Sequence, residues 1–224
     1  MNNSIAGQLI RKDLRIQRTP LLLALGGGVS ALGILQAGGE TATVIGSVWF
    51  FVALIILASM LPVSNIVNER KKQNLPFLMS LPVSAIQYTF AKIVSTLALF
   101  VGPWLILIGA AIWLILGRGI LPHGTIPVML ILGGLPLVAF CFMFGTALVS
   151  ESEGWTVASS IVWNSSYGLT WYFMTKVSAL TADLKSPVVV WNSTSVSVLA
   201  AEFLTILLIL ALTFFLQSRK RDFI

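Results

Sequence analysis

Residues 44–67 read VIGSVWFFVALIILASMLPVSNIV, twenty-four positions without one charged side chain. A helix that crosses the hydrocarbon of a bilayer needs roughly 20 apolar residues, so this stretch is long enough to span. Five more runs qualify on either side of it: approximately Pro20 to Gly38 before it, then Tyr88 to Leu116, Ile126 to Val149, Trp155 to Val177 and Ser197 to Gln217. Composition points the same way. Of 224 residues, 57% are hydrophobic and only 10% charged, against about 25% charged in ordinary proteins, and the mean hydropathy is +0.93. A water-soluble domain of this length is excluded, because lipid must face most of the surface. The expected fold is an all-α integral membrane protein with six transmembrane helices.

The third run exceeds one crossing, and Gly102-Pro103 near its middle is expected to kink it or split it into two pieces. Pro62 and Pro136 raise the same expectation in their own runs. The first run follows a basic stretch but lacks a small-x-small cleavage site, so it is expected to be retained in the membrane.

Lys and Arg accumulate in cytoplasmic segments, which sets the sidedness. With the N-terminus inside, the inner face holds Arg11, Lys12, Arg15, Arg18, Arg70, Lys71, Lys72, Lys92, Arg219, Lys220 and Arg221. Only Arg118, Lys176 and Lys185 fall outside. Both termini are therefore expected in the cytoplasm, and the formal charge of +6 belongs to that face, where it attracts anionic lipid rather than nucleic acid. Trp49, Trp113, Trp171 and Trp191 fall near the expected outer boundary and Trp155 near the inner one, as an aromatic belt requires. Trp104 and Trp163 lie deeper, where they pack between helices or line a pathway for an apolar cargo.

Residues 1–19 read as an amphipathic helix, and residues 20–224 as the six-span domain. Ile5, Leu9 and Ile16 share one side of that first helix, while Arg11, Arg15 and Arg18 occupy the other. It is expected to lie in the membrane interface, with its bases reaching the headgroups.

The segment 68–87 between the second and third spans carries the most information. It contains Asn68-Glu69-Arg70-Lys71-Lys72-Gln73-Asn74-Leu75-Pro76-Phe77-Leu78-Met79-Ser80-Leu81-Pro82-Val83-Ser84, with Lys92 following. Pro76 suits the first turn of a short helix and Pro82 ends one. Such a helix presents Phe77, Leu78 and Leu81 together as an apolar knob that fills a groove on another protein. By these residues alone, a second helix resting on lipid is an equal alternative.

An acid and a base at the end of the second span, a short run finishing in Leu81-Pro82-Val83-Ser84, and a lysine opening the third span together resemble the first cytoplasmic loop of the membrane subunits of type-2 ATP-binding-cassette exporters, the ABC-2 permeases. The N-terminal amphipathic helix, six spans and inner termini are similar to that family too. The common family form has a Gly-Thr/Ser pair and an acid before the apolar run, where this chain has Gln73-Asn74 and Pro76. It often has an arginine after the Pro-Val-Ser, where this chain has Ala85. The resemblance implies a permease in a bacterial cytoplasmic membrane, paired with a second permease copy, identical or not, and with separate ATPase subunits. It implies a cytoplasmic coupling helix from Asn74 to Ser84, with Glu69, Arg70, Leu75, Phe77, Leu78 and Leu81 meeting the ATPase and the N-terminal helix bracing that contact.

No Gly-x-x-x-x-Gly-Lys-Ser/Thr phosphate loop occurs in the sequence, so ATP and magnesium are expected in a partner chain and no cofactor in this one. A single cysteine, Cys141, and a single histidine, His123, in an outer connection, give no metal site and no nucleophile-base pair. Catalytic residues are therefore not expected. Glu202 is the one ionisable residue well inside an apolar run, where an exposed carboxylate costs on the order of 2.5 to 3.5 kcal/mol near the midplane. It is expected to contact cargo in an outward vestibule or else to reach the outer interface and meet Lys176 or Lys185. With Trp104 and Trp163 it forms the candidate pathway. The function expected is export of an amphipathic or apolar cargo such as a peptide, antibiotic, toxin or lipid. The alternative is a peptide-sensing or immunity module using the same ATPase, and a stand-alone intramembrane enzyme ranks below both.

Overall fold

A computed structural model describes residues 15–64 and 85–219, excepting the side chains of residues 85–89 and 91. Six long helices follow one another: α1 (Arg18–Gln36), α2 (Glu40–Pro62), α3 (Ala85–Arg118), α4 (Ile126–Ser150), α5 (Glu153–Met174) and, after the four-residue α6 (Ser178–Thr181), α7 (Ser193–Ser218). No strand occurs among the described residues. Each long helix falls within a few residues of one of the six apolar runs.

Five of them, α1, α2, α3, α4 and α7, are long and apolar enough to cross a membrane. The other, α5, has 22 residues but spends Ser159, Ser160, Asn164, Ser165 and Ser166 on polar side chains, which lowers its hydropathy without shortening it. Gly102-Pro103 does not split α3, which runs through Pro103 as one helix of 34 residues. A proline removes one N–H and crowds one carbonyl, and packing against neighbouring helices holds the rest of the ladder together. Of the two outcomes expected at Gly102-Pro103, a kink or a division, the division is the one excluded.

The turns have local causes. Gly38 and Gly39 take positive φ of 74° and 85°, a region that costs glycine little, and so reverse the chain between α1 and α2. Asn192 caps α7, its side-chain oxygen accepting from the Ser195 N–H at 2.7 Å, which satisfies one of the helix's orphan donors. Its amide nitrogen donates to the Ala179 carbonyl, which ties α6 to the start of α7.

Around α4, the most buried of the helices, the core forms two layers. One holds Ala24, Leu61, Phe100, Phe140 and Phe144, at the end where α1 begins and α2 finishes. The other holds Leu32, Leu54, Leu107, Ile108 and Leu114 toward the opposite end. Phe100 and Phe140 stack at 4.5 Å between ring centroids, a geometry that adds to the area they bury. Trp104 packs against both layers. Gly28 of α1 accommodates the Leu107 side chain, so part of the glycine-rich first helix serves packing within this chain.

Trp113, Trp155, Trp171 and Trp191 are exposed. Trp49 is exposed as well, and its indole N–H donates to Ser30 Oγ at 3.1 Å.

Candidate functional site

The polar centre of the bundle is built on one stretch of α4, from Leu132 to Pro136. Pro136 has no N–H, so the carbonyl four residues earlier, that of Leu132, loses its helical donor. In a lipid-surrounded bundle that oxygen needs another one. Tyr167 of α5 supplies it, its hydroxyl donating to the Leu132 oxygen at 3.2 Å. One residue on, Trp104 of α3 donates from Nε1 to the Gly133 carbonyl at 2.6 Å. The two aromatic donors thus come from two different helices to adjacent carbonyls.

The side-chain positions of this stretch are occupied by neighbours. A Cβ on Gly133 would strike Ile108, and one on Gly134 would strike the Glu202 carboxylate of α7. Only glycine lets α7 bring a carboxylate this close to the α4 backbone. Glu202 Oε1 is buried and has no hydrogen-bond partner among the described residues. With Tyr167 on the Leu132 carbonyl and Glu202 against Gly134, α5 and α7 meet the same stretch of α4. Gly134 lies eight residues into α4, about 12 Å from its start at 1.5 Å per residue.

Of the expected pathway residues, the structure therefore brings Trp104 and Glu202 to adjacent glycines of one helix. Trp163 is half-buried beside Phe142, with ring centroids 6.1 Å apart, and its indole nitrogen has no partner among the described residues. It lies one turn from Tyr167 on α5. Glu202 does not reach Lys176 or Lys185, because its side chain turns inward onto Gly134. Tyr167 is not among the residues that the sequence singles out; the signal that points to it is Pro136, whose missing N–H leaves a carbonyl in need of a donor.

Beside this centre an apolar groove of about 440 Å³ opens between α2 and α5, with Val48, Phe51, Ile55, Tyr167 and Trp171 among its walls. It adjoins a second hollow, roofed by Leu180 and Leu184 after α5, that reaches Leu132. Tyr167 stands in the groove wall while its hydroxyl points to the polar centre. This arrangement can hold an apolar or amphipathic body. Among the described residues no three His, Cys, Asp or Glu side chains gather to hold a metal.

At the end where α1 begins, Ser64 Oγ donates to Gln17 Oε1 at 2.8 Å. Gln17 is fully buried and Lys92 of α3 is buried at the same end. Arg15, just before α1, and Arg18, its first residue, are exposed. Arg11 and the coupling residues Glu69, Arg70, Leu75, Phe77, Leu78 and Leu81 lie outside the described residues.

No family model matches the chain, and no curated protein or solved structure matches it either.

Proposed function

We propose that this chain is the membrane permease of an ATP-driven exporter of the ABC-2 type. It crosses a bacterial cytoplasmic membrane six times, α5 included, with both termini in the cytoplasm. It works with a second permease subunit and with separate ATPase chains that hold ATP and magnesium. The cargo is amphipathic or apolar, as the α2/α5 groove and the sparse charge of the spans favour.

The observation that carries this reading is the sequence from Glu69 to Ser84, with its charged start, its proline-bracketed Phe77-Leu78-Met79-Ser80-Leu81 and its Pro82-Val83-Ser84 ending. The Gln17 to Ser64 hydrogen bond supports it. It joins the chain that leads out of the N-terminal amphipathic segment to the last described residue before the loop. Force delivered to the loop by an ATPase would thus reach α1 and α2 together.

Co-expression with a phosphate-loop ATPase encoded beside this protein tests the reading. The two are expected to co-purify, with ATP hydrolysis stimulated by the permease, and Phe77→Asp or Leu81→Asp is expected to abolish both. A complex and a stimulated hydrolysis that survive both substitutions would overturn the coupling role.

A further inference from the structure

We infer that the slot between α4, the start of α5 and the end of α7 holds one aminophospholipid, with an acyl chain in the slot and the headgroup at Arg219. The slot has a volume of about 370 Å³, and Phe142, Val149, Trp155, Ile209, Leu212 and Leu216 line it. It shares no residue with the α2/α5 groove or the hollow beside that groove. The helices α4 and α7 meet at Gly145, where an added Cβ would strike Thr213 Oγ1, and the slot is the space beside that contact.

The walls are dry. Each hydroxyl in them donates to its own helix: Thr146 to Phe142 O at 2.9 Å, Ser150 to Thr146 O at 2.6 Å and Thr213 to Ile209 O at 2.7 Å. What remains is apolar surface, which suits hydrocarbon. The depth fits as well. Ile209 lies ten residues before Arg219, about 15 Å along the helix axis, which is half of the roughly 30 Å hydrocarbon thickness. The slot is therefore as deep as the hydrocarbon of one leaflet.

The polar groups gather at the end of the slot. Arg219 directly follows α7 and lays its guanidinium 4.3 Å from the centre of the Phe215 ring, which leaves the N–H edge of the fork for an acceptor such as a phosphate. Gln217 is only 4% exposed, and its Oε1 is buried with no hydrogen-bond partner among the described residues. Phe215 with Arg219, and Thr213 with Gln217, are i, i+4 pairs that flank the row of Leu212 and Leu216 on α7. An arginine alone would take any anionic lipid. The Gln217 oxygen needs a donor, which an ammonium supplies and a phosphate diester does not. Glu151 and Glu153 stand at the same end, between α4 and the first turn of α5. Both are engaged in interactions of their own, and their charge disfavours a headgroup that is negative overall. A headgroup with one phosphate and one ammonium matches all of these groups. The inference needs α4 and α7 to cross a membrane, and neither an ATPase nor a cargo.

The test is native mass spectrometry of the full chain in detergent, with phosphatidylethanolamine and phosphatidylglycerol of identical acyl chains as probes. One phosphatidylethanolamine is expected to stay bound, with a preference of about tenfold over phosphatidylglycerol. Arg219→Gln is expected to weaken retention of both lipids about tenfold, and Gln217→Leu to remove the preference between them. Leu212→Trp and Leu216→Trp, separately, fill the slot and are expected to displace the lipid. Leu204→Trp, on the exposed face of α7 outside the slot, is expected to leave it bound, and circular dichroism checks that each variant is folded. Equal retention of the two lipids, a preference that survives Gln217→Leu, or an equal loss in Leu204→Trp would overturn the inference. So would lipid that stays on a folded Leu212→Trp or Leu216→Trp protein; if that protein also loses an oligomeric state, a second copy of the chain covers the slot instead.

Discussion

The hydroxyl of Tyr167 donates to the carbonyl oxygen of Leu132 at 3.2 Å, the acceptor that Pro136 deprives of its helical N–H. The defect in one helix is thus repaired by a side chain of the next, and the repair fixes how α5 lies on α4. Tyr167→Phe is expected to cost about 1 kcal/mol of stability in detergent. Pro136→Ala returns an N–H to the ladder, so in that background Tyr167→Phe is expected to cost much less. Equal costs in both backgrounds, measured by thermal unfolding, would show that Tyr167 does not serve the proline.

Trp104 joins the two layers of the core and donates to Gly133 O at 2.6 Å. Trp104→Phe keeps most of the ring and loses the hydrogen bond, a cost of about 1 kcal/mol. Trp104→Ala opens a cavity between the layers and is expected to cost about 3 to 5 kcal/mol. The two variants should separate clearly by denaturant unfolding in micelles, and similar losses would mean that the ring's bulk contributes little.

Glu202 places an unpartnered carboxylate oxygen inside the bundle. Such a group is retained at a cost in stability, so Glu202→Gln is expected to leave the unfolding midpoint unchanged or raised. If the carboxylate meets cargo, Glu202→Leu lowers transport in vesicles while the protein stays folded. Unchanged transport by a folded Glu202→Leu protein would take Glu202 out of the pathway.

Gly134→Val puts a branched side chain where the Glu202 carboxylate lies. Overpacking of this kind costs about 1 to 3 kcal/mol. Glu202→Ala in the same chain removes the obstacle and is expected to recover most of the loss. Independent, additive effects of the two substitutions would contradict the contact.

Gln17→Leu removes the acceptor that Ser64 uses at the entry to α1. If the chain couples to an ATPase through Phe77 and Leu81 as proposed, permease-stimulated hydrolysis is expected to fall several-fold while co-purification persists, because those residues are unchanged. Loss of the complex itself would instead make Gln17 part of the docking contact.

What the sequence by itself determined is where the six long helices lie. Hydrophobic length is a property of consecutive residues, so the runs around 44–67 and 126–149 announce α2 and α4 without any knowledge of their neighbours, and the scarcity of charge announces lipid as the solvent. The continuity of α3 through Pro103 was not legible there, because whether a proline splits a helix depends on the helices packed against it. Nor was the inward turn of Glu202, since a carboxylate in an apolar run can point in any direction until a glycine on another helix makes room for it. Pro136, Tyr167, Trp104 and Glu202 are far apart along the chain, and only tertiary packing, by setting three helices against one stretch of α4, decided that they form a single polar centre.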